Sequence, residues 1–355
     1  MIVLVKLFSK KIISKTQLLL GFFFLYTGCD HKNKVNTITG ETMGTTYSIK
    51  IVSQNKLIEN SEIKISVDSV LAIINMQMST WIPDSEISQF NSRKLIGPFS
   101  VSESFFNVVK VALEISDITD QYFDVTVFDL MMLWGFGPSP KLGFPSDEDI
   151  KKVLKYSGSK NISAKNGLLI KNNPSTKLDL NSIAKGYAVD EVFHFLRSKG
   201  YRNLFIEIGG EVRCLGRNRV NKVWSLGVEN PIIRDVEDKK LAFIIYIDDG
   251  SIATSGNYRS YIKSNNKIIG HTLNPITGYP VKTNVKSVTV KANSCMLADG
   301  WATALMAMNY KLGLEMVLEN PEIEAAWILA EEDGEIKIAC SDGFDIKSAI
   351  YKIIR

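Results

Sequence analysis

Segments with strand and helix periodicity alternate along the chain from Thr37 onward, and glycine and asparagine residues separate them. Residues 45–52 alternate apolar and polar side chains as a half-buried strand does, whereas residues 61–78 repeat their apolar positions at helical spacing. More helices are predicted at 103–119 and 150–155, and more strands at 204–208, 224–228, 241–247 and 285–290. Hairpin-like strand pairs mixed with isolated helices predict an α+β fold with mixed sheets and packed helices, instead of a regular parallel βαβ array.

The uneven distribution of basic residues bears on the partners of the protein. The net charge is +4, and four lysines lie within the first 28 residues, which contain no Asp or Glu. The rest of the chain is therefore near neutral, so no nucleic acid is expected among its partners. The sequence also lacks the GxGxxG and Walker patterns, and neither a Rossmann nor a P-loop nucleotide site is predicted.

The N-terminal residues are typical of a targeting signal. Residues 1–17 are basic, and residues 18–26 form an apolar run that is too short to cross a bilayer core of about 30 Å as a helix. Gly28-Cys29 resembles a bacterial lipobox, although Tyr26 stands where Leu is usual. We predict a lipoprotein signal peptide at 1–28, a lipid-anchored tether at 29–36 and one folded domain at 37–355. The protein would then be exported and anchored to a bacterial cell membrane through Cys29; the alternative is an ordinary signal peptide with a chance cysteine.

Three more cysteines follow Cys29, namely Cys214, Cys295 and Cys340. An odd number excludes a complete disulfide framework, and their spacing matches no metal site. Because each lies among apolar neighbours, buried free thiols are predicted.

The segment 294–310 gives the best local indication of chemistry. It is apolar on nearly every helical face, so the helix is expected to be buried, and Ser294 is placed to cap it. Asp299 and Thr303 are four residues apart and therefore share one face. A buried carboxylate needs a cation or hydrogen-bond donors, and a carboxylate with a hydroxyl suits Mg²⁺. On spacing alone, the alternative is a metal-free hydrogen bond from Thr303 to Asp299, and the spacing by itself favours that alternative.

Two other segments carry candidate residues. In 178–190, Asn181-Ser182 is a candidate N-cap for a helix containing Lys185, and a lysine beside free amides at a helix start favours phosphate; a solvated helix start is the alternative. His271 precedes a Pro-x-x-Gly turn and is a candidate general base, with turn capping as the alternative. Glycine-rich turns at 135–138, 209–211 and 255–257 are consistent with a pocket built from loops.

Taken in order, these segments resemble the ApbE family of FAD:protein FMN transferases over about residues 37–350. The longest matching stretches are YFDVTVFDLMMLWGFGP from Tyr122, LDLNSIAKGYAVD from Leu178, HTLNPITGYP from His271 and SCMLADGWATALMAM from Ser294. The others are MGTTY from Met43, STWIPDSEISQFN from Ser79, IGGE from Ile208 and ATSGNYR from Ala253. Any one of these motifs is weak, but all of them in this order are specific.

The resemblance implies a cleft, a metal and a reaction. FAD would lie in a loop-built cleft between two lobes, in contact with Met43, Trp81, Tyr122, Phe123, Asp124, Asn181, Lys185 and the loop around Leu273. Mg²⁺ would be held by Asp299, Thr303 and the backbone carbonyl of Ala184. The reaction would transfer the FMN moiety of FAD to a Thr or Ser hydroxyl of an acceptor flavoprotein, a subunit of a redox complex, and release AMP. His271 is the predicted base for the hydroxyl proton, with Asp299 or Asp179 as alternatives.

Some positions depart from the usual family pattern. Trp81 stands where tyrosine is common, Asn274 replaces the Asp of an H-x-x-D-P version, and Asn181-Ser182 replaces a Gly-Gly or Gly-Ala pair. None of these changes removes a predicted metal ligand or base. Two other functions share the same residues: a Mg²⁺-dependent FAD pyrophosphatase that uses water as the acceptor, and a flavin-binding lipoprotein without catalysis.

Overall fold

The computed structural model describes residues 33–354 except 54–58, 140–142, 232–240, 258–260, 265–266, 332–333 and 349–350. The predicted signal peptide at 1–28 and Cys29 lie outside the described residues. Within the described ranges, no helix is both long and apolar enough to cross a membrane.

A nine-stranded sheet forms the centre of the molecule. Its strands are, in spatial order, β1 (Lys34–Thr42), β2 (Thr45–Ser53), β6 (Leu204–Ile208), β7 (Glu211–Leu215), β10 (Asp249–Gly256), β13 (Val285–Ala292), β14 (Ile323–Ala330), β15 (Ile336–Cys340) and β17 (Ile353–Ile354). Neighbouring strands are antiparallel except β15 and β17, which are parallel. Lys34 already pairs with Ser53, so the last residues of the predicted tether 29–36 belong to the sheet.

Further strands form two three-stranded sheets and a hairpin. One sheet has the order β3 (Gly97–Ser100), β5 (Leu168–Lys171) and β4 (Ile162–Lys165), and the other has the order β16 (Ile346–Lys347), β9 (Leu241–Ile247) and β8 (Trp224–Glu229). The hairpin pairs β11 (Tyr261–Ser264) with β12 (Lys267–Gly270).

The helices of the described part are α1 (Asn60–Met78), α2 (Glu86–Ser92), α3 (Glu103–Ile118), α4 (Phe128–Trp134), α5 (Asp147–Leu154), α6 (Ala184–Ser198), α7 (Cys295–Met306) and α8 (Tyr310–Glu319). The buried residues of α1 repeat at helical spacing from Ile63 to Met78. Ile65, which was predicted to lie on the apolar face, is instead 71% exposed. α5 begins with a capping box, in which Ser146 and Asp149 each accept a hydrogen bond from the other's backbone amide. Local patterns therefore explain where these helices form.

Alternation along the central strands divides the core into two layers. On β14, Ala325 and Trp327 pack among the helices, whereas Ala326 and Ile328 pack against the sheet of β8, β9 and β16. A third, smaller cluster joins α4 and α5 to Leu273. These layers confirm the predicted α+β fold, and the small cluster forms a second lobe beside the main body.

Two details of the sequence analysis are decided by local contacts. Cys214, Cys295 and Cys340 are buried thiols, as predicted, and none of them forms a disulfide within the described residues. The predicted N-cap at Asn181-Ser182 is wrong, because α6 begins at Ala184 with Ile183 at the N-cap position and no side-chain cap. The Ala184 amide instead donates to the Leu180 carbonyl at 2.8 Å, so the chain turns before the helix begins.

Candidate functional site

A cavity of about 250 Å³ lies where α6, α7, the β6–β7 turn and the end of β10 face the small lobe of α4, α5 and the loop after β12. Its lining includes most of the predicted site residues: Tyr122, Phe123, Asp124, Asn181, Lys185, His271, Leu273, Asp299 and Thr303. Much of the wall consists of loops, namely those that contain residues 122–127, 179–182 and 271–275. The predicted residues that are far apart in sequence therefore converge on one cleft.

Asp299 lies on the floor of this cavity, on the nearly all-buried helix α7. Asp299 is only 2% exposed, and its Oδ2 accepts a hydrogen bond from the Gly186 amide at 2.9 Å. Its Oδ1 lies 3.7 Å from Nζ of Lys185. Burial raises the pKa of Asp299 to about 7; Lys185 opposes this shift and Glu211 adds to it. The site is therefore costly for a lone carboxylate and favourable for one that has a cation beside it.

Thr303 is one turn further along α7. The metal-free alternative expected its hydroxyl to bond Asp299, but the hydroxyl is paired with Ser255. Its Oγ1 lies 3.3 Å from Oγ of Ser255 at the end of β10. Both residues line the cavity. Within the described residues, the bonds of the Asp299 carboxylate go to Gly186 and Lys185, and the hydroxyl of Thr303 is held by Ser255. The shared face predicted from the spacing thus points both side chains into the cleft.

Helix α6 positions α7 through an acidic residue and a glycine. Asp190 is buried on α6, and its two oxygens accept hydrogen bonds from the Cys295 and Met296 amides, each at 2.9 Å. Ser294 adds the predicted cap by accepting from the Leu297 amide at 3.2 Å. Gly186 allows a close approach, since a Cβ there would lie 2.3 Å from the Cys295 carbonyl oxygen. Asp299 is therefore fixed relative to the start of α6.

Lys185 connects two carboxylates. Its Nζ lies 2.9 Å from Oε1 of Glu211 and 3.7 Å from Oδ1 of Asp299. Burial disfavours the ammonium, but the charges of Asp299 and Glu211 outweigh burial and raise the pKa of Lys185. Its side chain is 27% exposed and reaches the cavity, where it is available to an anion. Two carboxylates against one ammonium leave the cluster with a net negative charge, which favours an added cation.

The oxygen atoms at the cavity suit a hard cation that is coordinated partly by the protein and partly by a bound phosphate. Among the described residues, no three His, Cys, Asp or Glu side chains cluster in a way that would hold a metal. A metal here would depend on the Asp299 carboxylate, the Thr303 hydroxyl and a backbone carbonyl, with further oxygens from a bound phosphate. Ala184, the predicted source of that carbonyl, is the buried first residue of α6 and is not among the residues that line the cavity. Mixed oxygen ligands of this kind suit Mg²⁺.

Asp124 and Asp179 are also buried at the cavity, and burial raises the pKa of each carboxyl. The oxygens of Asp124 accept from the Thr126 amide and hydroxyl, both at 2.6 Å, and from the Ser159 amide at 2.7 Å. Its carboxylate thus organises the loop that carries Tyr122 and Phe123. Asp179 accepts from the Asn181 amide at 2.9 Å and shapes the turn before α6.

His271 begins the loop of the small lobe and packs edge-on against Phe136 with a centroid separation of 6.3 Å. The side chain of Asn274 accepts from the Ile276 and Thr277 amides at 2.9 and 3.0 Å, so it closes the turn as an aspartate would. Trp134 donates to the Gly278 carbonyl at 2.8 Å and ties the loop to α4. His271 is therefore held at the cavity wall by a well-bonded turn.

Met43 and Trp81 do not line this cavity. Met43 lies in the β1–β2 turn with a left-handed φ of 51° and packs against the main core. Thr45, which follows this turn, lies near the site. A Cβ at Gly209 would be 2.9 Å from Cγ2 of Thr45 and 3.3 Å from Cδ of Lys185, so Gly209 lies between the two residues. Trp81 follows α1 and is 60% exposed. Of the predicted flavin, metal and catalytic residues, the cavity lining therefore lacks Met43, Trp81 and Ala184.

Sequence reasoning missed three residues of the site: Glu211, Ser255 and Asp190. Glu211 and Ser255 belong to the stretches IGGE and ATSGNYR, which were noted for their glycines. Asp190 ends the stretch LDLNSIAKGYAVD, where a charge within an otherwise apolar helical run was the available signal.

Comparisons with known proteins identify the family of the chain. A sequence model of the ApbE family matches residues 43–327. A Vibrio cholerae protein named FAD:protein FMN transferase is 38% identical over 323 residues, which cover 91% of this chain and 96% of that protein. The solved flavin transferase ApbE from Vibrio cholerae superposes with a TM-score of 0.80 at 37% identity, covering 88% of this chain and 98% of that one. The apo flavinyl transferase ApbE from Pseudomonas stutzeri gives a TM-score of 0.79 at 31% identity, with coverages of 87% and 95%. The resemblance noted in the sequence is confirmed, and the chain belongs to the ApbE family.

Proposed function

We propose that this protein transfers the FMN moiety of FAD to a hydroxyl group of an acceptor protein. The observation that carries the proposal is a cluster at the cleft in which the buried Asp299 lies beside the partly exposed Lys185 and Thr303. The cluster combines an ammonium group that can bind phosphate with oxygen ligands that suit a divalent cation. Proteins that share this fold and much of this sequence are named FAD:protein FMN transferases.

The metal in this proposal is Mg²⁺, held by the Asp299 carboxylate, the Thr303 hydroxyl and the Ala184 carbonyl. When bound, it supplies neutralisation of the charge on the pyrophosphate of FAD. The burial of Asp299 near a second carboxylate, Glu211, supports a cation at this place. The Lys185 ammonium, near the start of α6, would bind the same pyrophosphate.

The protein's own residues position the acceptor and move one proton. The acceptor Thr or Ser oxygen attacks the phosphorus on the FMN side, the bond from that phosphorus to the bridging oxygen breaks, and AMP leaves with that oxygen. His271 takes the hydroxyl proton as the general base, since it lies on the cavity wall in a fixed loop. Asp299 and Asp179 are weaker candidates, because Asp299 serves the metal and Asp179 holds the turn before α6.

The remaining parts of the proposal rest on sequence features. The acceptors would be flavoprotein subunits of redox complexes. The chain would be exported and tethered to a bacterial membrane through a lipid on Cys29, with residues 1–28 as its signal peptide. β1 starts at Lys34, so a tether from Cys29 is only a few residues long and would hold the cleft close to the membrane surface.

The test is a product analysis of the purified protein with FAD, with and without Mg²⁺ and with and without a candidate acceptor subunit. FMN transfer predicts that AMP appears only when both Mg²⁺ and the acceptor are present, in a one-to-one ratio with flavin bound to protein. Release of equal AMP and free FMN without acceptor would show an FAD pyrophosphatase instead. Intact FAD after hours in the complete mixture would leave only the flavin-binding lipoprotein.

A further inference from the structure

Glu211 is the buried carboxylate of the cleft for which the reaction has so far assigned no role toward the substrate. It begins β7 directly after the Gly209-Gly210 turn, is 4% exposed and lines the cavity. One of its oxygens, Oε1, accepts from Lys185 at 2.9 Å. The other oxygen, Oε2, is buried and has no hydrogen-bond partner within the described ranges.

An orphaned oxygen of this kind has an energetic cost unless a ligand supplies a donor. Burying a carboxylate oxygen without a donor costs more than leaving a neutral group unpaired. The surrounding fold does not relieve that cost, because the Gly209-Gly210 turn holds the start of β7 through a bond from the Gly210 amide to Glu207 at 2.7 Å. The carboxylate is therefore held at the cavity with one oxygen unused.

The chemistry of the missing donor follows from the neighbours. A phosphate oxygen is repelled by a carboxylate, so the pyrophosphate itself is excluded. A second metal ion is disfavoured, because the ammonium of Lys185 already occupies the other oxygen of Glu211. A neutral hydroxyl remains, and the groups next to the pyrophosphate of FAD are sugar alcohols: the ribityl chain on one side and the ribose of adenosine on the other.

We propose that Oε2 of Glu211 accepts a hydrogen bond from a sugar hydroxyl adjacent to the pyrophosphate of bound FAD. Glu211 thereby recognises the substrate while its second oxygen holds Lys185 for the phosphate. This inference rests on the proposed function, since it takes FAD as the ligand of the cleft.

The experiment measures equilibrium binding in Mg²⁺ for FAD and two groups of analogues. One group lacks single ribityl hydroxyls, and the other lacks the 2′ or 3′ hydroxyl of the adenosine ribose. The proteins are the wild type, Glu211→Gln, Glu211→Ala and a matched control, Asp129→Asn. Asp129 accepts from Lys177 at the same distance of 2.9 Å, but neither residue lines the cavity. Thermal unfolding of each variant reports whether it folds.

The expected result is that one deoxy analogue binds the wild type and Asp129→Asn at least about tenfold more weakly than FAD, as for a bond to a charged acceptor. The same analogue and FAD should bind Glu211→Ala equally, which identifies the hydroxyl as ribityl or ribose. Wild-type binding of every analogue as tightly as FAD overturns the proposal even when the Glu211 variants do not fold. The proposal is also overturned when the loss of affinity caused by the missing hydroxyl is as large in Glu211→Ala as in the wild type. A wild type that binds no FAD would instead contradict the proposed function.

Discussion

Replacing Gly186 with alanine should weaken both the fold and the metal site, because α6 and α7 touch at this residue. An added Cβ would lie 2.3 Å from the carbonyl oxygen of Cys295, 2.7 Å from its carbonyl carbon and 2.8 Å from Cβ of Asp299. Two of these atoms are backbone, so the helices must separate, at a cost of about 3 kcal/mol. Alanine regains about 1 kcal/mol of helix propensity. We expect the free energy of unfolding to fall by about 2 kcal/mol.

Gly313→Ala on α8 is the matched control. Its Cβ would meet Cδ2 of Leu305 at 3.3 Å and Cζ2 of Trp327 at 3.6 Å, contacts with side-chain atoms that have room to adjust. We expect this variant to be as stable as the wild type or more stable by up to about 1 kcal/mol. Urea unfolding measures both variants, and titration with Mg²⁺ should show weaker binding only for Gly186→Ala. The reasoning is refuted when Gly186→Ala is no less stable than Gly313→Ala.

Three further changes test separate parts of the site. Asp190→Asn leaves one amide at the start of α7 facing an amide nitrogen, so the free energy of unfolding should fall by about 1–3 kcal/mol; an unchanged urea midpoint would argue against the cap. Burial raises the pKa of Asp299 to about 7, and Mg²⁺ must displace that proton at lower pH. Calorimetry should therefore show Mg²⁺ affinity falling about tenfold per pH unit below pH 7, and a flat profile from pH 5.5 to 8 would contradict the raised pKa of Asp299. Trp81→Ala removes an exposed side chain that does not line the cavity, so it should leave stability within about 0.5 kcal/mol. The resemblance to the family predicts that it weakens FAD binding about two- to tenfold, and unchanged affinity would show that Trp81 does not contact FAD.

Local periodicity explains why much of this arrangement was predictable from the sequence. The four-residue spacing of Asp299 and Thr303 fixes them on one helical face, and the apolar surroundings of α7 require burial. Ser294 caps that helix as its residue type and position indicate. Fold class and the helices α1, α3 and α5 followed from the same kind of pattern, which acts over a few residues.

Contacts between distant segments were not predictable in this way. Lys185 pairs with Glu211 across 26 residues, and Asp190 caps a helix that starts more than 100 residues later. Such partners depend on how α6 packs on the sheet and on α7. The helices α2 and α4 have seven residues each, too few to show a clear period. The N-cap of α6 was misplaced because Asp179 and Leu180 build a turn first.

The central claim is that Asp299 serves a metal-dependent transfer of FMN to protein. Mass spectrometry of a candidate flavoprotein subunit, incubated with FAD, Mg²⁺ and this protein, tests it most directly. We predict that the wild type and Asp129→Asn attach one FMN to a Thr or Ser of the subunit, and that removal of Mg²⁺ or Asp299→Ala abolishes the added mass. Attachment by Asp299→Ala at the wild-type rate would contradict the metal assignment, and no attachment by the wild type to any such subunit would contradict the transfer itself.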